Sequence, residues 1–381
     1  MNVVLFCHSF LSCWNHGNAH FLRGVARELI RLGHAVTVYE PADGWSRSNL
    51  MADAGASVLA EATRIVPGVT LHSYLGNAPD LGQATGAADL VIVHEWTAPA
   101  VVAALGRQRS AGARFTLLFH DTHHRAVSAP AEMNALDLDG YDAVLAFGEV
   151  LREVYVRRGW ARRAFTWHEA ADTALFRPLG RSQADTDLIW IGNWGDDERT
   201  QELATFLLNP ACRLGLRLRL HGVRYPGHVR DDLLARGIDY AGWLPNHRAP
   251  QAFARARLTV HVPRRPYTAM LPGIPTIRVF EALACGIPLV CAPWDDVEGL
   301  FPSGAYLTGR DEDAMTRTIA AILADRQLAR HLSEAGLRAI HARHTCAHRV
   351  QELIGIVDGL RGTGGLGTRL HASEEQGMAV S

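Results

Sequence analysis

The sequence lacks the features that would place it in a membrane or secreted class. No uninterrupted apolar run approaches the roughly 20 residues that span a bilayer, and no basic stretch followed by an apolar core and a cleavage site opens the chain. Neither a CxxC pair nor a disulfide-framework spacing occurs among its six cysteines, Cys7, Cys13, Cys212, Cys285, Cys291 and Cys346. These absences predict a cytoplasmic protein with free thiols.

Charge and histidine spacing argue against two further classes. The formal net charge is −1 and the chain has no block of like charge, so no segment is suited to neutralise the phosphates of a nucleic acid. The 19 histidines are dispersed and form no zinc-ligand pattern such as HExxH. We therefore expect neither a nucleic-acid partner nor a catalytic metal or other cofactor.

Length and hydrophobic patterning predict an α/β protein of two domains. The chain has 381 residues, of which 48% are hydrophobic and 20% charged, as in ordinary globular proteins. Apolar runs at 3–6 and 35–39 flank a helical pattern at 19–32, which Gly33 ends. Further short apolar runs follow at 90–93, 115–119 and 143–147, and a second series lies at 188–194, 216–221, 258–262 and 288–291. Strands that alternate with helices in this way favour parallel sheets covered on both faces.

The interruptions of this pattern suggest where the domains begin and end. We expect one Rossmann-like domain over 1–178 and a second over 186–345, with a hinge at 177–186 where Pro178 and Gly180 break the apolar periodicity. A helix within 346–361 is expected to pack back across the first domain. Residues 362–381 are small, polar and glycine-rich, which is typical of a disordered tail.

The most informative segment reads Leu-Pro-Gly-Ile-Pro-Thr-Ile-Arg-Val-Phe-Glu-Ala-Leu-Ala-Cys-Gly-Ile-Pro-Leu-Val, over 271–290. Its prolines predict a turn, after which 276–284 forms a helix that Gly286 ends. The free N–H groups at the start of such a helix favour a phosphate, so Pro275, Thr276 and Ile277 are candidate donor-binding residues. Glu281 lies inside the helix.

Three motifs in the same order resemble the GT-B glycosyltransferases of the family 4 clan. The run from Glu281 to Val290 is similar to the donor-site signature of that clan, and Arg278-Val-Phe-Glu281 resembles its CgeB-like, spore-maturation branch. Asp172-Thr-Ala-Leu-Phe-Arg-Pro178 is similar to the hinge-entry motif, and Gly17-Asn18 with the helix after it to the N-terminal glycine loop. The resemblance implies two Rossmann-like domains facing across a cleft, with an acceptor on the first and a nucleotide sugar, UDP-linked, on the second.

The resemblance also implies roles for particular residues of the second domain. Glu281 is expected to bind the ribose, and Arg199 occupies the place of a phosphate-binding arginine. Arginine suits this task because its planar fork binds phosphate oxygens in pairs. The further donor-site candidates are Arg264, Arg265, Arg278, His221 and Tyr267. Gly273 stands where the clan carries a second glutamate, so the resemblance does not extend to that contact with the donor sugar or to a retaining outcome. The turn Pro272-Gly273-Ile-Pro275 is expected to present backbone groups to the donor instead.

Candidate catalytic residues lie at the ends of predicted strands in the first domain. His120 and Asp121 follow the strand at 115–119, and they resemble a His-Asp pair of the clan whose histidine meets the donor sugar. A general base for the acceptor hydroxyl could be His16, Asp121 or Glu95, and the sequence does not choose among them. The loops at 7–16, 40–49 and 123–133 are expected to line the acceptor site.

These patterns leave three functional hypotheses open. The first is a metal-independent glycosyltransferase that moves a sugar from a nucleoside diphosphate sugar to an unidentified acceptor, which is a sugar, a lipid head group, a natural product or a protein. The second is a sugar-nucleotide 2-epimerase, which shares the fold and the substrate. The third is a catalytically silent nucleotide-sugar-binding protein, suggested by Gly273.

Overall fold

The computed structural model describes residues 1–76, 79–180, 184–195 and 197–375, with side chains described as far as Gly362. Part of the expected hinge, residues 181–183, and the last six residues of the expected tail, 376–381, lie outside these ranges. Within them, no helix combines the length and the apolar composition that crossing a bilayer demands.

The first half of the molecule is built on a parallel sheet. In the described residues its strand order is β3-β2-β1-β4-β5-β6-β7. The strands are β1 (Asn2–Phe6), β2 (Ala35–Pro41), β3 (Thr70–Tyr74), β4 (Leu90–His94), β5 (Thr116–Asp121), β6 (Ala143–Ala146) and β7 (Ala164–Thr166). Strand β1 lies at the centre, where Val3 pairs with Val36 on one side and with Leu90 on the other.

Helices cover this first sheet. They are α1 (Ala19–Arg31), α2 (Trp45–Ala54), α3 (Ser57–Ile65), α4 (Leu81–Thr85), α5 (Pro99–Ser110), α6 (Arg125–Ser128), α7 (Pro130–Asn134) and α8 (Glu149–Arg157). Helix α1 forms where the apolar periodicity predicts it, and it buries Leu22, Val25 and Leu29. Gly33 follows it at φ +83°, a left-handed conformation that ends a helix readily only at glycine.

The second half repeats the same topology. Within the described residues its parallel sheet has the order β10-β9-β8-β11-β12-β13. The strands are β8 (Thr186–Ile191), β9 (Leu218–His221), β10 (Asp239–Tyr240), β11 (Ala256–His261), β12 (Leu289–Cys291) and β13 (Leu307–Thr308). In each sheet the order reverses beside the first strand, which leaves a crevice at the carboxyl ends of the strands.

The helices of the second half end with a long one that returns to the first. They are α9 (Thr200–Leu203), α10 (Asn209–Arg213), α11 (Gly227–Ala235), α12 (Ala249–Ala254), α13 (Arg265–Ala269), α14 (Ile277–Ala284), α15 (Glu312–Ala324), α16 (Arg326–Arg343) and α17 (Cys346–Glu375), with a π turn at Ala204–Leu208 and a 3₁₀ turn at Asn246–Arg248. Helix α17 packs against α1, where a Cβ on Gly24 would clash with Cys346. It continues through 362–375, where the sequence predicts a tail.

One continuous core joins the two halves. It contains Phe21 of α1, Trp167, Phe176 and Phe280 of α14, each at most 1% exposed. Trp167 also donates its indole N–H to the carbonyl of Arg349 in α17, at 2.8 Å. The sheets are therefore held in a defined mutual position by buried aromatic contacts.

Candidate active site

A cleft of about 760 Å³ lies between the carboxyl ends of the two sheets. Its first-half lining follows β1 to β6 and comprises His8, Cys13, Asn15, His16, Gly17, Asn18, Pro41, Gly44, Trp45, Tyr74, Gly76, Trp96, Thr97, Ala98, Thr122, His123, His124 and Phe147. Residues after β8 to β11 and at the start of α14 form the opposite wall. Ligands of open α/β sheets bind at this edge, so the cleft is the candidate active site.

The start of α14 forms part of the second-half wall. Thr276 caps the helix in an extended conformation, and its hydroxyl lies 3.1 Å from Nε2 of His261 at the end of β11. Thr276, Ile277 and Arg278 all line the cleft. The first backbone N–H groups of α14, which have no partner within the helix, therefore lie beside the cleft, as the sequence predicts.

Arg199 lies in the same wall of the cleft. Its guanidinium donates to the backbone carbonyls of Asn193 and Val262 and lies over the ring of Trp190, 5.0 Å from its centroid. Burial, with a smaller contribution from neighbouring Arg264, lowers the pKa of Arg199 to about 9. The chain contains no lysine, so the cationic side chains that face the cleft are all arginines.

Arg264 and Tyr267 complete this part of the cleft. Arg264 donates to the Glu198 carboxylate at 2.7 Å, and that carboxylate lies 3.7 Å from Nε2 of His124 in the first half. The ring of Tyr267 packs edge-on against His124, with 5.2 Å between centroids. The sequence predictions for Arg199, Arg264, Tyr267 and Arg278 thus converge on one wall.

Glu281 occupies a different place from the one that the resemblance implies. Its side chain is fully buried, accepts hydrogen bonds from Arg278 and lies 2.8 Å from Nδ1 of His20 in α1. It does not line the cleft. Glu281 binds Arg278, which does line the cleft, and its contact with a ribose stays a prediction.

Four other expected residues also lie away from the cleft surface. Gly273 and Pro275 belong to the turn before α14, where Gly273 adopts φ +91°. Neither they nor His221 line the cleft, although Gly222 next to His221 does. Arg265 points outward and binds Glu202 at 2.8 Å. A Cβ on Gly273 would lie 2.7 Å from the side chain of Val297, and the positive φ strains any larger residue in this turn.

The structure corrects the position of His120 and Asp121. Both lie inside β5, because they pair with Leu145 and Ala146 of β6, and neither is exposed. His120 packs against Trp167, 4.8 Å between ring centroids, and burial lowers its pKa to about 3. The strand runs two residues beyond the apolar run, and the residues that reach the cleft are the next three, Thr122 to His124.

Asp121 and Glu95 form a buried acidic pair behind this wall. Asp121 accepts hydrogen bonds from the Tyr155 hydroxyl at 2.6 Å and from the backbone of His123 at 3.0 Å. Burial, followed by the proximity of Asp121, raises the pKa of Glu95 well above its usual range. Neither carboxyl lines the cleft, so neither meets an acceptor hydroxyl directly.

A short relay connects Glu95 to the cleft. Thr122 donates to Glu95 at 2.8 Å, and its hydroxyl accepts from the side-chain amide of Asn18. Asn18 and Gly17 form the loop before α1, and a Cβ on Gly17 would lie 3.1 Å from the side chain of Ile277. The predicted glycine loop is thus placed against the start of α14.

His16 is the one candidate base that lines the cleft. Its ring packs 4.1 Å from that of His8, and its Nε2 is buried without a hydrogen-bond partner. Burial, with help from His8 and Arg23, lowers the pKa of His16 well below its ordinary value, while a hydrogen bond to the backbone of Ser9 opposes this shift. The ring is therefore neutral at pH 7, and its buried Nε2 is left without a hydrogen-bond partner at the edge of the cleft.

Glu169 lines the cleft although the sequence analysis does not single it out. It follows Trp167 on the segment between the sheets, is 2% exposed and leaves Oε1 without a partner. Burial, and then the negative charge of Glu281, raises its pKa well above the usual range, while Arg278 and the backbone of Ile277 oppose the shift. No periodic signal marks this residue, because its segment belongs to neither a helix nor a strand.

Metal-ligand geometry is not found in the described residues. No group of three or more histidine, cysteine, aspartate or glutamate side chains there is arranged to hold a metal ion. The adjacent His123 and His124 rings pack on each other, 4.1 Å between centroids.

One family model matches part of the chain. Residues 199–355 match the model of a family described as "Glycosyl transferase-like". This match covers most of the second half, including Arg199 and α14. Comparison with curated proteins finds no match.

Solved structures with the same fold cover almost the whole chain. A sucrose-phosphate synthase from Thermosynechococcus elongatus superimposes with a TM-score of 0.67 at 15% identity, over 95% of this chain and 100% of that chain. Anabaena HepE in complex with UDP and glucose gives 0.66 at 14% identity, over 94% and 99%. T4 phage BGT in complex with UDP and Mn²⁺ gives 0.59 at 11%, over 94% and 100%. The fold is therefore the GT-B architecture, two Rossmann-like halves that face each other across a cleft.

Proposed function

We propose that this chain is a glycosyltransferase that transfers a sugar from a nucleoside diphosphate sugar, UDP-linked, to an acceptor held by the first half. The glycosyltransferase-like match over 199–355 supports the reaction class. The UDP and glucose bound in the similar Anabaena structure support the donor class. The CgeB-like branch of the family rests on the motif that ends at Glu281 and is part of the proposal.

The observation that carries the proposal is the convergence of three arginines on the start of α14. Arg199, Arg264 and Arg278 line one wall, together with Thr276 and Ile277 at the N-terminus of the helix. Arg264 and Arg278 both lie close enough to Arg199 for their charges to lower its pKa. Such an arrangement of cations around a helix N-terminus suits a diphosphate, and it would stabilise the charge that develops as the diphosphate departs.

The same wall offers groups that suit the uracil base and the sugar of the donor. Trp243 and Leu244 line the cleft just after β10, and the Trp243 indole N–H is buried without a partner. We assign the uracil base to this place, since an aromatic plane and a free donor both suit it. Glu169 would then face the sugar, whose hydroxyls can donate to its free oxygen.

The chemistry assigned to the first half is activation of the acceptor. The acceptor oxygen attacks the anomeric carbon while the bond from that carbon to the diphosphate breaks, and UDP leaves with the electron pair. His16 accepts the acceptor proton on Nε2. Glu95, Asp121 and Thr122 position the wall beside it. Enclosure of the reactants between two halves contributes orientation and excludes water.

Incubation with a panel of nucleotide sugars tests this function. We expect UDP to raise the melting temperature of the protein, and one UDP-sugar to yield UDP by mass spectrometry when an acceptor mixture is added. Arg278→Ala should weaken UDP binding by about 1 to 3 kcal/mol. Conversion of the donor to an isomer without any acceptor would instead favour an epimerase, and UDP binding without turnover a silent binding protein.

A further inference from the structure

A short turn joins the donor wall to the first half, just after the residues assigned to the uracil base. Trp243 and Leu244 line the cleft, and Pro245 links them to the 3₁₀ turn at Asn246–Arg248. Proline restricts its own φ, here −55°, so this link is stiff. Asn246 lines the cleft as well and is 6% exposed. A displacement of the base site would therefore move Asn246 with it.

Asn246 binds a loop of the first half at two points. Its side-chain amide donates to the carbonyl of Gly17 at 3.0 Å, and its backbone N–H donates to Sγ of Cys13 at 3.3 Å. Both partners line the cleft. The amide of Asn193, also in the second half, donates to Asn15 between them, and Asn15 adopts φ +50°. The second half therefore holds this loop along its length.

The same loop, at 13–18, contains residues to which the chemistry of the first half is assigned. His16 lies within it and lines the cleft. Asn18 at its end donates to Thr122, which donates to Glu95 at 2.8 Å. The position of this loop therefore affects both the ring of His16 and the hydrogen-bonded chain to Glu95.

The loop keeps other contacts that do not involve Asn246. The carbonyl of Gly17 also accepts from the backbone N–H of His20 at 3.3 Å, at the start of α1. A Cβ on Gly17 would lie 3.1 Å from the side chain of Ile277, at the start of α14. Loss of the Asn246 amide therefore leaves the carbonyl with one partner, and we expect it to loosen the loop without unfolding it.

An outer contact joins the same turn to the first half. Glu61 of α3 lies 2.7 Å from Nε2 of His247 and accepts from Arg248 at 2.8 Å. The side chains of Glu61 and Arg248 are 34% and 56% exposed. Exposed ion pairs contribute little to stability. The hydrogen bonds of the buried Asn246 are therefore the stronger connection between the turn and the first half.

We infer that Asn246 is a positioning residue that couples donor binding to the acceptor side of the cleft through its hydrogen bonds to Cys13 and Gly17. The inference rests on the proposed function, because it takes the segment before the turn as the base site. UDP bound at that site holds the turn, and the turn holds the loop at 13–18. Because coupling between two sites is reciprocal, an acceptor that orders the loop also strengthens donor binding.

Hydrogen exchange of the full chain with and without UDP tests the inference and requires no acceptor. Peptides that cover 11–18 report on the loop, and UDP is added at about tenfold the Kd that calorimetry gives for each protein. In the wild type we expect UDP to slow exchange in these peptides at least about fivefold, because a loop that is held opens less often. Asn246→Ala should lose most of this protection although UDP is bound.

Two variants serve as controls. Asn209→Ala removes an amide that donates to Glu312 at 2.7 Å, and neither of these residues lines the cleft, so the protection should remain complete. Glu61→Ala removes the outer contact and should keep the protection within about twofold of the wild type. Protection that persists in Asn246→Ala would show that UDP acts on the loop without this residue and would overturn the inference. Protection lost only in Glu61→Ala would also overturn it.

The wild type separates this inference from the proposed function. If UDP binds and exchange at 11–18 does not change, the coupling through Asn246 fails and the proposed function stands. If calorimetry detects no binding of UDP, the proposed function fails, and the coupling fails with it.

Discussion

His20 and Glu281, 261 residues apart in the chain, share a buried hydrogen bond of 2.8 Å between Nδ1 and Oε1. The backbone N–H of Asp172 donates to the other ring nitrogen of His20 at 2.9 Å, so the proton on the ring must lie on Nδ1 and point at the carboxylate. Glu281 also accepts from Arg278. The carboxylate that the sequence assigns to the donor therefore connects α1 to the arginine that lines the cleft.

Removal of this carboxylate should cost stability as well as donor affinity. Glu281→Ala leaves the partly buried Arg278 without its anion, and breaking a buried pair in this way costs about 3 to 5 kcal/mol. We expect a lower urea midpoint by circular dichroism and a higher Kd for UDP. Glu281→Gln keeps an acceptor for His20 and should lose less. A midpoint for Glu281→Ala equal to that of the wild type would contradict the connecting role.

Arg199 should contribute to donor binding through the planar geometry of its guanidinium as well as its charge. Arg199→Met is expected to weaken UDP binding by about 1 to 3 kcal/mol, a charged hydrogen-bond partner being lost. Arg199→Lys should not restore the affinity, because a lysine cannot bind the carbonyls of Asn193 and Val262 together. Arg217→Met removes an exposed arginine that pairs with Asp187 and serves as the control. Calorimetry with UDP on all four proteins checks the order.

The contact between Gly148 and Ile274 should control the position of the turn before α14. A Cβ on Gly148 would lie 2.7 Å from Cδ1 of Ile274 and closer still to Cγ1, and Ile274 is 2% exposed. Gly148→Ala is therefore expected to cost about 1 to 3 kcal/mol through overpacking. The double variant Gly148→Ala, Ile274→Ala should lose less unfolding free energy than the two single variants lose in sum, because the smaller side chain at 274 makes room for the added methyl group. Strict additivity in urea unfolding would exclude this contact.

Buried neutral histidines should make the protein sensitive to acid. The folded-state pKa of His120 is about 3, whereas an unfolded imidazole titrates near 6.5. The unfolded chain thus binds the proton first, so this stabilisation is complete above about pH 6.5 and is lost as the pH falls towards about 3. Each such histidine adds a slope of at most about 1.4 kcal/mol per pH unit.

Replacement of one ring tests that sign. His120→Phe should lower the number of protons taken up on unfolding by up to one between about pH 6 and 4. The unfolding free energy then depends less steeply on pH in this range. His228→Gln, at an exposed position, should keep the wild-type slope. Urea titrations at four pH values would compare them, and a variant curve parallel to the wild type would show that His120 is not buried in its neutral form.

Transfer should continue in the presence of a chelator. The diphosphate charge is met in our proposal by Arg199, Arg264 and Arg278, which line the cleft with the start of α14. We expect the rate of UDP release with excess EDTA to stay within about twofold of the untreated rate. Loss of activity that Mn²⁺ restores would show instead that a metal shares this task.

The local pattern of the sequence predicts most of the secondary structure that positions the site. Helix α1 and its stop at Gly33 follow from apolar spacing and a glycine, and α14 follows from the prolines before it and Gly286 after it. The spacing of apolar residues does not predict the short strands β3 and β7. Strands β3 and β7 carry mostly half-exposed residues, so their side chains show no apolar run.

The sequence by itself determined the two parallel sheets and the helix that begins after Pro275, because these depend on residues that are neighbours along the chain. Only the tertiary structure decided that Glu281 faces His20, that His120 and Asp121 stay inside β5, and that His16 and Glu169 reach the cleft. Those outcomes depend on strand pairing and on the packing of the two halves against each other. Burial and hydrogen bonding between residues more than a hundred positions apart cannot be predicted from the spacing of residues within one segment.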